Sequence, residues 1–369
     1  MPFTQSDPDH LKMYPLNSRK SKSSIRDIAI DPDQAAPPNA ELQWQATMLA
    51  QKIMQAREKG AAVILAYGAH LIKNGAAPLL IQLLEEGWLT HLATQGAGGI
   101  HDWEYAFLGR SEEDVRANVA NGTFGTWEET GKYINLAVLA GTVRDMGYGE
   151  SLGAMIQEDG IYIPDGEVLQ QAIRTGLHRP GTLFAAQAEL YAVMEKFELS
   201  PGFLAVPHPH KKYSVAAAAF RLHIPYTIHP GIGYDIIYNS PYASGAALGR
   251  GGHTDFKIFC NSVANLSGGV FISVGSAIMA PQIFEKALSF ANNLLLQKGE
   301  KIQDLTIIVN DLQPCRWDWS KSEPPKESPD YYLRFLKSFY RAGGQVTYIA
   351  ADNREFLQHV YKALSSNNS

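Results

Sequence analysis

Cysteine is nearly absent. Cys260 and Cys315 are the only two in 369 residues, so the sequence holds neither a disulfide framework nor a Cys-x-x-Cys metal or redox motif. No run of about 18 apolar residues occurs, so no membrane-spanning helix is expected. The opening stretch, MPFTQSDPDHLK, is no apolar leader, and with so little cysteine it predicts a reducing, cytoplasmic setting. A strong charge of one sign is also missing. Thirty-two Lys and Arg stand against thirty-seven Asp and Glu, a formal net charge of −5, and nucleic acid is not the expected partner because phosphate binding needs a basic face. There is no internal repeat, no complete Gly-x-Gly-x-x-Gly fingerprint and no His-Glu-x-x-His helix.

What is present is ordinary globular composition, 45% hydrophobic and 19% charged, enough to bury a sizeable core. Residues 1–40 differ from the rest, being rich in Pro, Ser, Asp and Lys, with the basic run Ser18-Arg19-Lys20-Ser21-Lys22. They read as an arm that orders only against a partner surface, followed by a single α/β domain over residues 41–369. From Glu41 the hydrophobic period alternates between helix and strand. Residues 41–58 form an amphipathic helix with Leu42, Ala46, Leu49, Ala50 and Ile53 on one side. Apolar strands are expected at 62–67, 90–94, 203–206, 268–274, 305–310 and 345–350, with helices at 75–86, 165–176, 183–197, 213–222, 281–297, 329–342 and 354–365. Alternation of this kind predicts a doubly wound, mostly parallel, Rossmann-like sheet with helices on both faces, whose ligands sit beyond the strand carboxyl ends.

Four glycine-bearing turns lie at such ends: Tyr67-Gly68-Ala69-His70, Thr94-Gln95-Gly96-Ala97-Gly98-Gly99, His229-Pro230-Gly231-Ile232-Gly233, and Val274-Gly275-Ser276. Glycine admits a pyrophosphate to the backbone, and a helix N-terminus adds partial positive charge; tight strand-to-helix turns also need glycine for steric reasons alone. Gly68, Thr94, Gly96, Ala97, Gly98, Gly99, Gly275 and Ser276 are therefore candidate cofactor contacts, and NAD is the expected cofactor. Asn310 and Asp311 end one strand where ribose or phosphate contacts are common, and Asp352 and Asn353 end the last strand, where either could equally cap the next helix. His101, Asp102 and Glu104 open the helix after the second turn, and Asp235 precedes a β-like Ile236-Ile237-Tyr238. These acids are either caps or contacts to a cationic amine. His208, His210, His229, His253 and Asp255 offer the imidazoles and carboxylate of a metal-dependent hydrolase, though without ligand spacing.

The segments Val63 to Gly75 and Thr94 to Gly99, the stretch Gly233-Tyr234-Asp235-Ile236-Ile237, the strand Gly268 to Ser276 and the ending Val346 to Asp352 resemble deoxyhypusine synthase in correct order. That resemblance implies NAD, a polyamine substrate dehydrogenated to an imine, alkylamine transfer through a lysine, and a homotetramer. Laid on Ser328 to Lys337, the family's pattern implies Lys337 as the imine lysine and Phe335 beside the substrate; the alternative is an amphipathic helix with Lys337 in solvent. Departures at Pro230, Ala280 and residues 312–315 count against deoxyhypusine synthesis itself. A second likeness runs through Gly99-Ile100-His101-Asp102-Trp103-Glu104, which is similar to the NAD-dependent ornithine cyclodeaminase-like domain of arginine-metabolising proteins. Both imply NAD and an amine substrate, with His101 and Asp235 moving protons and Asp102, Glu104 and Asp235 holding the cation. A non-catalytic nucleotide-binding regulator is the remaining reading.

Overall fold

The computed structural model describes residues 3–178 and 183–366. The chain divides into two compact units. A sheet unit comprises Ile28–Gly98, Arg221–His229 and Phe256–Ser369; an inserted unit comprises Met1–Asp27, Gly99–Phe220 and Pro230–Asp255.

Six strands build the sheet unit: β1 (Val63–Tyr67), β2 (His91–Gln95), β3 (Tyr226–His229), β4 (Val270–Val274), β5 (Thr306–Asp311) and β6 (Gln345–Ala350). They lie in the order β3-β2-β1-β4-β5-β6, and every neighbouring pair is parallel. This is the doubly wound dinucleotide-binding order, in which the chain reverses its direction of winding between β1 and β4. β1 (VILAY) and β4 (VFISV) are buried at every position. Strands at the centre of a parallel sheet are covered on both faces, which is why they read as unbroken apolar runs. Helix Ala40–Glu58 buries Leu42, Ala46, Leu49, Ala50 and Ile53 and packs against helix Asn353–Ser365. Phe271 of β4 stacks on Phe284 of helix Met279–Leu296, and Phe339 of helix Arg334–Arg341 lies tilted against both. The helix expected at 75–86 is Ala77–Glu85, and a short helix not expected, Ala69–Lys73, precedes it; Gly75, at a positive φ of 81°, separates the two. No helix among the described residues is long and apolar enough to cross a membrane.

The inserted unit is mainly helical, with helices such as Glu128–Thr142, Tyr148–Glu158 and Phe184–Lys196 and two short antiparallel ribbons. Residues expected in the parallel sheet at 203–206 instead pair antiparallel, Gly202–Ala205 with Gly160–Ile163. The β-like Ile236–Tyr238 is a 3-10 turn. The early basic run is fixed in place here. Arg19 is buried, and its guanidinium forks onto Glu104 at 2.7 and 2.8 Å.

Candidate functional site

The crevice expected of this topology lies at the carboxyl ends of β1 and β4. Their register pairs Tyr67 with Val274, so the turns that follow come level. The Gly68 amide donates to the Val274 carbonyl at 3.0 Å, and the Gly275 amide to the Asn310 carbonyl at 2.9 Å. A Cβ on Gly68 would strike the Gly275 carbonyl oxygen, and one on Gly275, at φ 56°, would strike the Asn353 amide nitrogen. Only glycine lets the two turns close together here.

Two asparagines stand behind these turns. Asn310, fully buried at the end of β5, donates through Nδ2 to the carbonyls of Ile349 and Ala351 at 3.1 and 3.0 Å. Asn353 follows β6 and is 8% exposed. The Oδ1 atoms of both are buried without a hydrogen-bond partner. A buried acceptor left unpaired costs on the order of 1–3 kcal/mol, so two of them at a topological switch point are groups a ligand would satisfy. NAD carries matching donors, a carboxamide N–H pair and ribose hydroxyls, and its phosphates need the close backbone approach that Gly68 and Gly275 allow. The residues present fit the group.

The other sheet-unit candidates have internal duties. The Thr94 hydroxyl donates to the Tyr67 carbonyl at 2.9 Å and lies against Gly98, tying β2 to β1. Ser276 Oγ accepts from the Ala280 amide at 3.2 Å, near the start of helix Met279–Leu296. Asp311 accepts from its neighbour Leu312. Asp352 caps helix Asn353–Ser365, accepting from the amides of Arg354 and Glu355. Gly96, Ala97 and Gly98 begin helix Gly96–Leu108, whose residues from Gly99 onward belong to the inserted unit. Lys337 pairs with Glu323 at 3.2 Å over the Tyr331 ring, while Phe335 is packed in the core beside Tyr348.

The inserted unit holds His101, Asp102, Glu104 and Asp235. Glu104 is enclosed: Arg19 takes both oxygens, Ser111 donates to Oε2 at 2.5 Å and Thr130 to Oε1 at 3.1 Å. His101 Nδ1 lies 2.7 Å from Ser111 Oγ. Because Ser111 spends its proton on Glu104, Nδ1 is the donor to it. Asp102 faces the start of helix Val215–Arg221, accepting from the Ser214 hydroxyl at 2.6 Å and the amides of Val215 and Ala216 at 2.8 and 3.2 Å. Burial pushes its carboxyl up to about 6, against the pull of those three bonds. Asp235 closes its own turn on the Gly231 amide at 2.6 Å, and burial raises its carboxyl. Among the described residues no three His, Cys, Asp or Glu side chains converge as metal ligands.

Sequence reasoning passed over Arg19, Ser111, His91 and Thr227 as members of polar networks. The one signal for His91 was a polar side chain in an expected strand, and Tyr-Thr-Ile-His gave none for Thr227.

No protein-family model and no curated protein matches the chain. Among solved structures it is similar to apo ArgZ, an arginine dihydrolase from the ornithine-ammonia cycle in cyanobacteria, at 13% identity and a TM-score of 0.41, over 88% of this chain and 33% of that one. It is similar to the ternary complex of AgrE with ornithine and NAD+ at 11% identity and a TM-score of 0.44, over 90% of this chain and 34% of that one. A conserved LOR/SDH-type protein from Methanococcus maripaludis S2 matches at 12% identity and a TM-score of 0.44, over 92% of this chain and 73% of that one. The chain thus spans about a third of the length of ArgZ and AgrE. These neighbours overturn the likeness to deoxyhypusine synthase, being arginine-metabolising and LOR/SDH-type proteins instead. Alkylamine transfer, a polyamine substrate, the tetramer and an imine on Lys337 rested on that likeness and are not carried further.

Proposed function

We propose that the protein is an NAD-dependent enzyme acting on an amine-bearing amino acid, with the dinucleotide over the β1/β4 switch point. The observation that carries this reading is the pair of orphaned acceptors, Asn310 Oδ1 and Asn353 Oδ1, set behind the apposed glycine turns of that crevice. Gly68 and Gly275 would admit the pyrophosphate to the backbone, and Asn310, Asn353 and the Ser276 hydroxyl would take the sugar and carboxamide. When bound, NAD supplies a hydride acceptor. Within the inserted unit, taken by itself, His101, its ring fixed through Ser111 to Glu104, is the group suited to handling a proton, and Asp235 the carboxylate suited to a cationic amine. Asp102 and Glu104 serve these residues as frame, since the bonds they accept come from within the unit.

Thermal-shift titration tests the reading. A ligand that binds only the folded state stabilises it by about 2.7 kcal/mol at a hundredfold excess over Kd. NAD is expected to raise the Tm, and ornithine or arginine, the amino acids held in the AgrE complexes, to raise it further in its presence, with spermidine inert. A protein whose Tm ignores millimolar NAD overturns the proposal.

A further inference from the structure

One face of the β2/β3 edge carries polar groups that neither the crevice nor the inserted unit uses. His91 opens β2 and is fully buried; Thr227 and His229 alternate on one face of β3, the first fully buried and the second 8% exposed. Ser262 lies opposite on helix Gly245–Ala264 and is half-buried. The four touch in sequence. His91 Nδ1 is 2.7 Å from Ser262 Oγ, His91 Nε2 is 2.9 Å from Thr227 Oγ1, and Thr227 Oγ1 is 3.1 Å from His229 Nε2. Phe259 stands edge-on to both imidazoles, 5.4 Å from each ring centre, and walls the line off.

We propose that Ser262, His91, Thr227 and His229 form a proton relay leading from a half-exposed hydroxyl to the carboxyl end of β3. The chemistry of each member permits it. A neutral imidazole has one N–H and one lone pair, and a hydroxyl both donates and accepts. The chain can therefore be fully satisfied in two ways. In one, His229 donates through Nε2 to Thr227, Thr227 to His91 Nε2, and His91 through Nδ1 to Ser262. In the other every bond is reversed, so His91 carries its proton on Nε2 and His229 on Nδ1. Converting one into the other passes one proton from end to end, with each N–H or O–H bond that breaks replaced by one that forms. The rings stay neutral in either state. Burial, joined at His91 by its neighbour His229, lowers the imidazoles to about 3 and about 4, so neither holds a second proton near neutral pH.

Its use in turnover rests on the amine-dehydrogenase reading. When a protonated amine is oxidised, its carbon gives a hydride to NAD+ and its nitrogen gives up one proton. The products are NADH, an iminium ion that keeps the positive charge, and the free proton. The relay is a dry path for that proton to the Ser262 end.

The test uses the full-length protein labelled with 15N-histidine. Long-range 15N–1H correlation spectra are expected to show opposite tautomers on His91 and His229. Thr227→Val should uncouple them, and Thr227→Ser should keep the coupling. Like tautomers on both rings of the unsubstituted protein, or opposite tautomers that persist in Thr227→Val, overturn the relay. In the turnover arm, Thr227→Val is expected to lower kcat at least about tenfold, with NAD affinity unchanged and recovery in Thr227→Ser, since a positioned proton-transfer group typically contributes roughly 100-fold or more. Full-speed Thr227→Val overturns its part in catalysis. An unsubstituted protein that turns over no amine condemns the functional reading instead, and the spectra then decide the relay alone.

Discussion

Replacing Asn353 by alanine separates a ligand contact from a structural residue by the sign of its effect. The side chain is 8% exposed, its Oδ1 has no donor, and its Nδ2 abuts Gly275. Removing an unpaired buried carbonyl relieves about 1–3 kcal/mol. The same truncation gives up the dispersion contacts of three heavy atoms, individually about 0.1–0.2 kcal/mol per atom pair and of order 1 kcal/mol together. Helix Asn353–Ser365 is untouched at its cap, because Asp352 supplies the acceptor for the Arg354 and Glu355 amides. Without ligand, the variant should therefore be as stable as the parent or up to about 2 kcal/mol more so. NAD binding should weaken, because one hydrogen bond from the ligand is lost, about 1 kcal/mol or roughly fivefold in Kd. Guanidinium unfolding of the free protein and calorimetric titration with NAD read the two quantities independently. A variant that loses more than about 2 kcal/mol of stability and binds NAD unchanged would show that Asn353 is packing rather than a ligand contact, and the crevice reading would go with it.

Two further outcomes follow from the inserted unit. Arg19→Met leaves Glu104 buried with only Ser111 and Thr130 as donors, so denaturant unfolding should show a loss of about 3–5 kcal/mol, with much of it recovered in the double variant Arg19→Met/Glu104→Gln; full additivity of the two changes would refute the pairing. Asp102 has a folded pKa of about 6 against an ordinary 3.8, so between about pH 4 and 6 the fold keeps a proton that the unfolded chain has lost, and stability should fall as pH rises through that window. Unfolding measured across it should show a shallower fall in Asp102→Asn, and an unchanged slope would contradict the assignment.

Much of the sheet was legible because its central strands have no solvent face. Val63–Tyr67 and Val270–Val274 bury every side chain, and such runs stand out in any window. Tyr226–His229 did not. Its sequence, Tyr-Thr-Ile-His, reads as polar and turn-like, yet Thr227 and His229 find partners in one another and in His91, which is what makes their burial tolerable. Gly202–Ala205 failed in the opposite sense: its residues alternate between half-buried and exposed, the pattern of a two-stranded ribbon rather than a central strand. The division into two units was hidden because the insertions between β2 and β3, and between β3 and β4, carry their own helices without a change in composition.

The carboxylates show why a site is harder to read than a sheet. Asp102 and Glu104, expected to open a helix, lie in the middle of helix Gly96–Leu108, whereas Asp352 does cap one, and sequence spacing treats a cap, an ion-pair partner and a substrate contact alike. Their partners decide the matter, and those partners are distant in the chain: Ser214 for Asp102, Arg19 for Glu104. Asp352 alone has its duty within reach, three residues on. The asparagines behave differently. Asn310 and Asn353 were suspect only because they end strands, a weak criterion that many residues satisfy. What distinguishes them is an acceptor that the fold buries and then leaves without a donor. That property belongs to the packed environment and not to the residue type, so no pattern of letters carries it, and it singles out the switch point more sharply than any of the glycines that first drew notice there.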